Sequence, residues 1–353
     1  MATYKEALQA KERLVRRWNS MPGVVGIGIG YANGKNHRGG LCVVLYTVNA
    51  STAVRRSCPQ SVALKKKKRL GTKVPVRVIV SGRCSCQPRV TVAASPRNIR
   101  GRIRPVVAGY SVGFPGVSGT AGLIVRAARS RAQRYLLSNN HVLNRNNSSS
   151  LSQTIQPGGA DGGVAPRDTI GRLYRFVRLR RDRANLMDAA ISIPRSNALL
   201  ASRYAGVGRV RGYVRSYALG ARLKKVGRTT GFVRGEVVSV NTDVIVDYGS
   251  YGGLGRIRFR NQTVIRGSRP VSLAGDSGSV WLTGNNYAAA VNFAGTADGR
   301  MSIAFPIRWA VQAFRIRPIG AGIARGKKGT VSTRSLSKVE LRQIRGRIGK
   351  GRA

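Results

Sequence analysis

The chain has 353 residues, of which 63 are Lys or Arg and only 12 are Asp or Glu, a formal charge of +51 at neutral pH. Hydrophobic residues make up 42% of it, enough for a sizeable core, so the composition excludes a disordered basic tail protein. The 44 glycines keep no fixed period, which excludes a collagen-like or repeat chain, and no run reaches the roughly 20 apolar residues of a membrane-spanning helix.

The first twenty residues, MATYKEALQAKERLVRRWNS, are charged where a secretory leader has an apolar stretch. A cytoplasmic or virion-internal chain with no membrane partner is the expectation. Residues 3–18 read as a helix, with Ala7, Leu8, Leu14 and Val15 at helical spacing, stopped by Pro22-Gly23. Strands are expected over Val24–Tyr31, Leu41–Val48 and Pro75–Val80. Together these predict a small α+β domain over residues 1–95, then a basic linker at 96–104. Gly26-Ile27-Gly28-Ile29-Gly30 is spaced GxGxG with no helix pattern after it, so it is no dinucleotide fingerprint. Cys42, Cys58, Cys84 and Cys86 are too few for a disulfide scaffold. Cys84-Ser85-Cys86 lacks the CxxC spacing of a zinc site, and His37 is the only histidine near it. No metal and no cofactor are expected.

From 105 to 320 the chain turns into short apolar runs divided by glycine turns, among them AGLIVRA, RYLLSNN, DAAISI, TDVIVDY, SGSVWL and YAAAVNFAG. That pattern predicts a mostly β domain, a barrel or sandwich. Lys224 to Gly231 sets two lysines and an arginine among glycines. It does not match GxxxxGK[ST], so it reads as a strand and turn rather than a phosphate cradle. Trp309–Phe314 reads as a short closing helix. The segment 321–353 is a basic tail whose SLSKVELRQIRGRI forms a marginal helix.

Three stretches carry chemistry: Leu137-Ser138-Asn139-Asn140-His141-Val142-Leu143, Met187-Asp188-Ala189-Ala190-Ile191 and Ala274-Gly275-Asp276-Ser277-Gly278-Ser279-Val280. A serine hydroxyl is a weak nucleophile until a base takes its proton. His141 supplies such a base, and Asp188 a carboxylate to fix the imidazole tautomer. The glycines around Ser277 leave the backbone N–H groups of Gly275 and Ser277 free to face a developing oxyanion. Each stretch alone is weak, but the three in the order His, Asp, Ser within one β-rich region form a specific set.

With those residues in hand, 105–318 resembles a chymotrypsin-like (trypsin-fold) serine peptidase domain: SNNHVL is similar to the family's histidine motif, DAAI to its aspartate motif and GDSGS to its serine motif. Val112–Arg126, Gln156–Gly163, Ile170–Leu173 and Lys225–Gly231 resemble a bacterial intracellular-type branch, and GVVGIGIGY the small domain that often precedes it. The resemblance spans about 300 of the 353 residues. It implies two six-stranded β-barrels with the triad in the cleft between them, and serine endopeptidase activity on a protein or peptide through an acyl-enzyme. It also implies a substrate pocket with Val271 at its base and Phe293-Ala294-Gly295 as its strand wall. No carboxylate stands at that base, so a small or apolar side chain is the expected preference rather than Arg or Lys.

Two departures from the family bear on the site. Secreted members pair a freed N-terminus with the aspartate before the serine. No cleavage sequence for that is evident here, so either Asp276 takes another partner, such as one of the arginines, or the enzyme is formed constitutively. The small N-terminal domain is also basic, PVRVIVSGR, where the branch is usually acidic.

The charge is spread: residues 1–104 hold 22 basic and 2 acidic residues, 105–320 hold 31 and 9, and 321–353 hold 10 and 1. Lys65–Arg69 is a local run of five. Non-specific nucleic acid or another polyanion is therefore an expected partner. The alternative reading is a polyanion-associated or virion structural protein that retains a peptidase fold.

Overall fold

The computed structural model describes residues 1–34, 39–64, 72–86, 99–129, 132–320, 322–325 and 331–351. His37, the Lys65–Arg69 run, the Ser95-Pro96 boundary and Gly326–Gly329 of the tail lie outside them. The chain is mostly β, as its short alternating runs imply.

The N-terminal helix is Tyr4–Arg16, opened by a capping box between Thr3 and Glu6. Its buried face carries Ala7, Ala10, Lys11 and Leu14, while Leu8 and Val15 are only half-buried. A lysine on that face is accounted for by Asp243, whose Oδ1 lies 2.7 Å from Lys11 Nζ with both side chains fully buried. Asp243 belongs to the strand Gly231–Asp247, so the first helix is pinned to the far half of the sequence.

The strand Val24–Tyr31 runs antiparallel to Leu41–Thr47 on one side and to Gly231–Asp247 on the other. A side chain at Gly30 would place its Cβ 2.7 Å from Val44 Cγ2 and 2.8 Å from the Val238 carbonyl. The glycine there thus serves close packing of strands, not phosphate binding. Lys73–Val80 and Ser61–Ala63 continue the same sheet outward.

Six strands of this sheet form a ring. Arg222–Gly227, Val280–Thr283, Tyr287–Thr296, Met301–Pro306, Arg256–Arg266 and Gly231–Asp247 pair in that order, and the last pairs back to the first. Phe259, Phe293 and Phe305 on these strands pack with ring centroids 4.6 and 6.2 Å apart, in one buried cluster with Leu123, Leu137 and Ile191. A second sheet follows the order Ile316–Pro318, Leu123–Ala127, Arg134–Ser138, Ala190–Pro194, Thr169–Val177, Gln153–Ile155, Ser111–Phe114 and Val117–Thr120.

The tail does more than form a helix. Lys338–Arg345 is helical with its own capping box from Ser337 and Glu340, and Ile348–Lys350 then adds a strand to Thr169–Val177. The segment before the second sheet is tied down as well. Ile99 is buried, the Ile103 N–H donates to Gln156 Oε1 at 3.0 Å, and Arg102 pairs with Asp168 at 3.2 Å. Among the described residues no helix is long and apolar enough to cross a membrane, which says nothing of β-barrel insertion.

Candidate active site

His141 lies on the short helical turn Asn140–Leu143 that ends the strand Arg134–Ser138. Asp188 sits just before the strand Ala190–Pro194, which pairs with Arg134–Ser138. The two asparagines before the histidine fasten these ends together. Asn139 Nδ2 donates to the Asp188 carbonyl at 2.7 Å, and the Asn140 N–H donates to Asp188 Oδ1 at 2.6 Å. The remaining oxygen, Oδ2, lies 2.5 Å from His141 Nδ1. A carboxylate only accepts, so Nδ1 carries a proton, and in the neutral imidazole the lone pair is on Nε2. Asp188 is 0% exposed and His141 5%, so water barely competes for this contact. Nε2 has no partner among the described residues.

Oδ2 takes a second donor that the sequence reading missed. Tyr248 OH reaches it at 2.6 Å, and the Tyr248 ring stands edge-on to the imidazole, centroids 5.6 Å apart. Burial, and then the Asp188 charge, push the Tyr248 hydroxyl well above its ordinary pKa, so it stays a donor. Replacing Tyr248 by Phe keeps the ring and removes the donor, leaving Asp188 a stronger acceptor for the imidazolium. The acid limb of the kcat/KM profile is expected to move to higher pH by roughly half a unit to one unit, read by steady-state kinetics across pH. A tyrosine that only packs would leave the limb in place.

Ser277 occupies the turn between the buried stretch Val271–Leu273 and the strand Val280–Thr283. Gly275 has φ +93°, a conformation that side-chain-bearing residues rarely adopt. Among the described residues, the N–H groups of Gly275 and Ser277 donate to no acceptor. The turn is set by Asp276, fully buried: its Oδ1 accepts from the Thr229 and Thr230 N–H groups at 2.9 and 3.0 Å, and its Oδ2 from the Leu273 N–H at 3.0 Å.

The partner expected for Asp276 was an arginine. It is Lys225, whose Nζ lies 3.6 Å from Oδ2 with both side chains fully buried. The adjacent arginine, Arg228, is committed to Asp161, and the ammonium under the turn is also 3.2 Å from Thr230 Oγ1 and 5.5 Å from the Trp281 ring centroid. Burial pulls the Lys225 pKa down and the Asp276 charge pushes back against it. The Lys224–Gly231 stretch is a strand and a turn, as its sequence implies, and it holds the chain's own Asp276 carboxylate.

Arg228 extends the support. Its N–H donates to Thr120 Oγ1 at 3.0 Å, and that hydroxyl donates to the Gly275 carbonyl at 2.8 Å. Its guanidinium pairs with Asp161 of the Gln156–Gly163 stretch. Burial would raise the Asp161 carboxyl, but hydrogen bonds from Arg228 and Ser111 outweigh it and hold it below the usual value.

His141 and Ser277 line one cavity of about 250 Å³, together with Cys86, Gly116, Val117, Ser118, Val142, Ala160, Arg228, Ala274 and Gly275. Ser277 is 4% exposed. Its hydroxyl does not reach His141; it donates to the Cys86 carbonyl at 3.2 Å and to the Phe293 carbonyl at 3.4 Å. Val271, Phe293 and Ala294 are wholly or almost wholly buried, and with Gly295 they stand outside the lining of this cavity. Val271 packs in the cluster of Val233, Ile265 and Trp281.

No family model and no curated protein matches the chain. Among solved structures it is similar to a glutamic-acid-specific serine protease, at 20% identity over 60% of this chain and 100% of that one, TM-score 0.43. It is similar to Thermobifida fusca protease A at 21% identity over 60% and 97%, TM-score 0.41, and to a Cellulomonas bogoriensis chymotrypsin at 20% over 61% and 99%, TM-score 0.40.

Proposed function

We propose that the chain is a serine endopeptidase that cleaves through an acyl-enzyme. The observation that carries the reading is the buried His141–Asp188 pair, its Nε2 unpartnered in the cavity that also holds Ser277. In the forward step Nε2 takes the Ser277 proton as Oγ attacks the substrate carbonyl carbon. The N–H groups of Gly275 and Ser277 receive the negative oxygen. The C–N bond then breaks, Nε2 returns the proton to the leaving amine, and water repeats the sequence on the acyl-serine. Asp188, held by Asn140 and Tyr248, steadies the imidazolium. Among the described residues, none that lines the cavity of His141 and Ser277 is acidic, so the proposed preference is a small or apolar residue before the cut bond. The +51 charge favours acidic proteins as substrates.

Prolonged labelling with a fluorophosphonate, in high salt to keep polyanions off, tests this reading. The wild-type chain is expected to label, and Ser277→Ala and His141→Ala are expected not to. Labelling that persists in Ser277→Ala, or a folded wild type that never labels, overturns it.

A further inference from the structure

The Ser277 hydroxyl faces two carbonyls rather than its base, and the nearer, at 3.2 Å against 3.4 Å for Phe293, is Cys86 of the N-terminal segment. The way that segment is seated accounts for this. Cys84–Ser85 is a two-residue strand inserted between two strands of the six-stranded ring. On one side it runs antiparallel to the end of Tyr287–Thr296, with Ser85 opposite Gly295 and Cys84 opposite Thr296. On the other it runs parallel to Gly231–Asp247, with Cys84 opposite Val246 and Ser85 opposite Asp247. The Cys86 N–H closes the ladder on the Asp247 carbonyl at 3.1 Å. Cys84 and Cys86 are both buried, and Cys86 lines the cavity with His141 and Ser277. An extended peptide that adds itself to a sheet edge gains main-chain hydrogen bonds of this kind. His141 Nε2, the atom that must take the serine proton, has no partner.

We infer that Cys84–Cys86 is an intramolecular strap that occupies the strand-binding edge beside Ser277 and keeps the hydroxyl turned from its base until the segment lifts. The inference rests on the peptidase reading. The strap engages the edge through the backbone of Cys84–Cys86, so its occupancy depends on the pairing of Ser85 and on the fit of the Cys86 side chain. Proline at 85 carries no N–H to give the ladder. Glycine at 86 removes the seated thiol and loosens the backbone.

The test compares initial rates of fluorophosphonate labelling for the wild-type chain, Ser85→Pro, Cys86→Gly and Ser277→Ala, with thermal melts of each. Both strap variants are expected to label about tenfold faster than wild type, with melts that keep the wild-type main transition. Cys86→Gly is the milder change, and it keeps the test decisive if Ser85→Pro fails to fold. A second readout is wild type in urea below its unfolding transition, where the rate is expected to rise as the strap lifts. Strap variants that fold and label at the wild-type rate, with no rise in urea, overturn the strap and leave the peptidase reading standing. If no chain labels under any condition, both fall.

Discussion

Replacing Lys225 with Met should cost the protein about 3–5 kcal/mol of stability and its activity with it. The ammonium and the Asp276 carboxylate are both fully buried, 3.6 Å apart. Methionine fills nearly the same volume, so the loss measures charge and not a cavity. Three backbone N–H groups still reach Asp276 in the variant. They soften the penalty without cancelling it, because a buried carboxylate with no cation keeps most of its desolvation cost. Asp276 leads directly into Ser277, so its movement or protonation carries the Gly275 and Ser277 N–H groups out of place. Urea midpoints measure the stability term and fluorophosphonate labelling the loss of activity. The double variant Lys225→Met with Asp276→Asn should regain only part of the stability: no buried charge is then left unpaired, but the amide nitrogen faces a backbone N–H that the carboxylate had accepted. A single variant as stable as wild type would show that the pair contributes nothing net.

Asp188→Asn should leave the fold nearly intact and lower kcat/KM by roughly a thousandfold to ten-thousandfold. One side-chain position, Oδ1, accepts from the Asn140 N–H at 2.6 Å, and an amide oxygen can do the same. The amide nitrogen then faces His141 Nδ1 and the Tyr248 hydroxyl, which both gave hydrogen bonds to Oδ2. Two donors facing one donor drives the imidazole into the other tautomer, with its proton on Nε2. A base that already carries its proton cannot take the serine's. Kinetics on a peptide substrate, with a thermal melt beside them, separate the two effects. A variant that keeps more than about a tenth of wild-type kcat/KM would remove Asp188 from the role proposed for it.

The three residues at the centre of the proposal were legible because each lies in a short local pattern. His141 follows two asparagines at a strand end, Asp188 precedes an apolar strand, and Ser277 sits between glycines whose conformation few other residues adopt. The helix Tyr4–Arg16 and the strand Val24–Tyr31 were legible for the same reason, since spacing and a capping box act within a few residues. What escaped was chosen across distance. Tyr248 ends a run that reads simply as a strand, and only the pairing of Gly231–Asp247 with its neighbours brings its hydroxyl to Asp188. Lys225 stands beside Lys224 in RLKKVG and reads as a solvent-facing strand residue. Nothing near it announces Asp276, fifty-one positions on. Lys11 reads as a solvent-facing lysine until Asp243 is placed beneath it. Buried ion pairs of this kind leave no periodicity, because each partner looks misplaced on its own element.

The strand Val24–Tyr31 has Gly231–Asp247 as the neighbour on one of its two sides, with Gly26 opposite Val244. During synthesis that partner emerges more than two hundred residues later. At about 5–20 residues per second, the wait lasts roughly 10–40 s. Through that time a glycine-rich apolar strand edge has no mate, and the Lys11 ammonium on the helix above it has only Glu12. A nascent chain in this state invites pairing with its neighbours on a polysome. The dense positive charge then acquires a use before folding is complete, because like-charged chains held side by side repel one another. Slowing elongation ahead of residue 231 should lengthen the vulnerable interval and lower soluble yield, with no change to the finished protein.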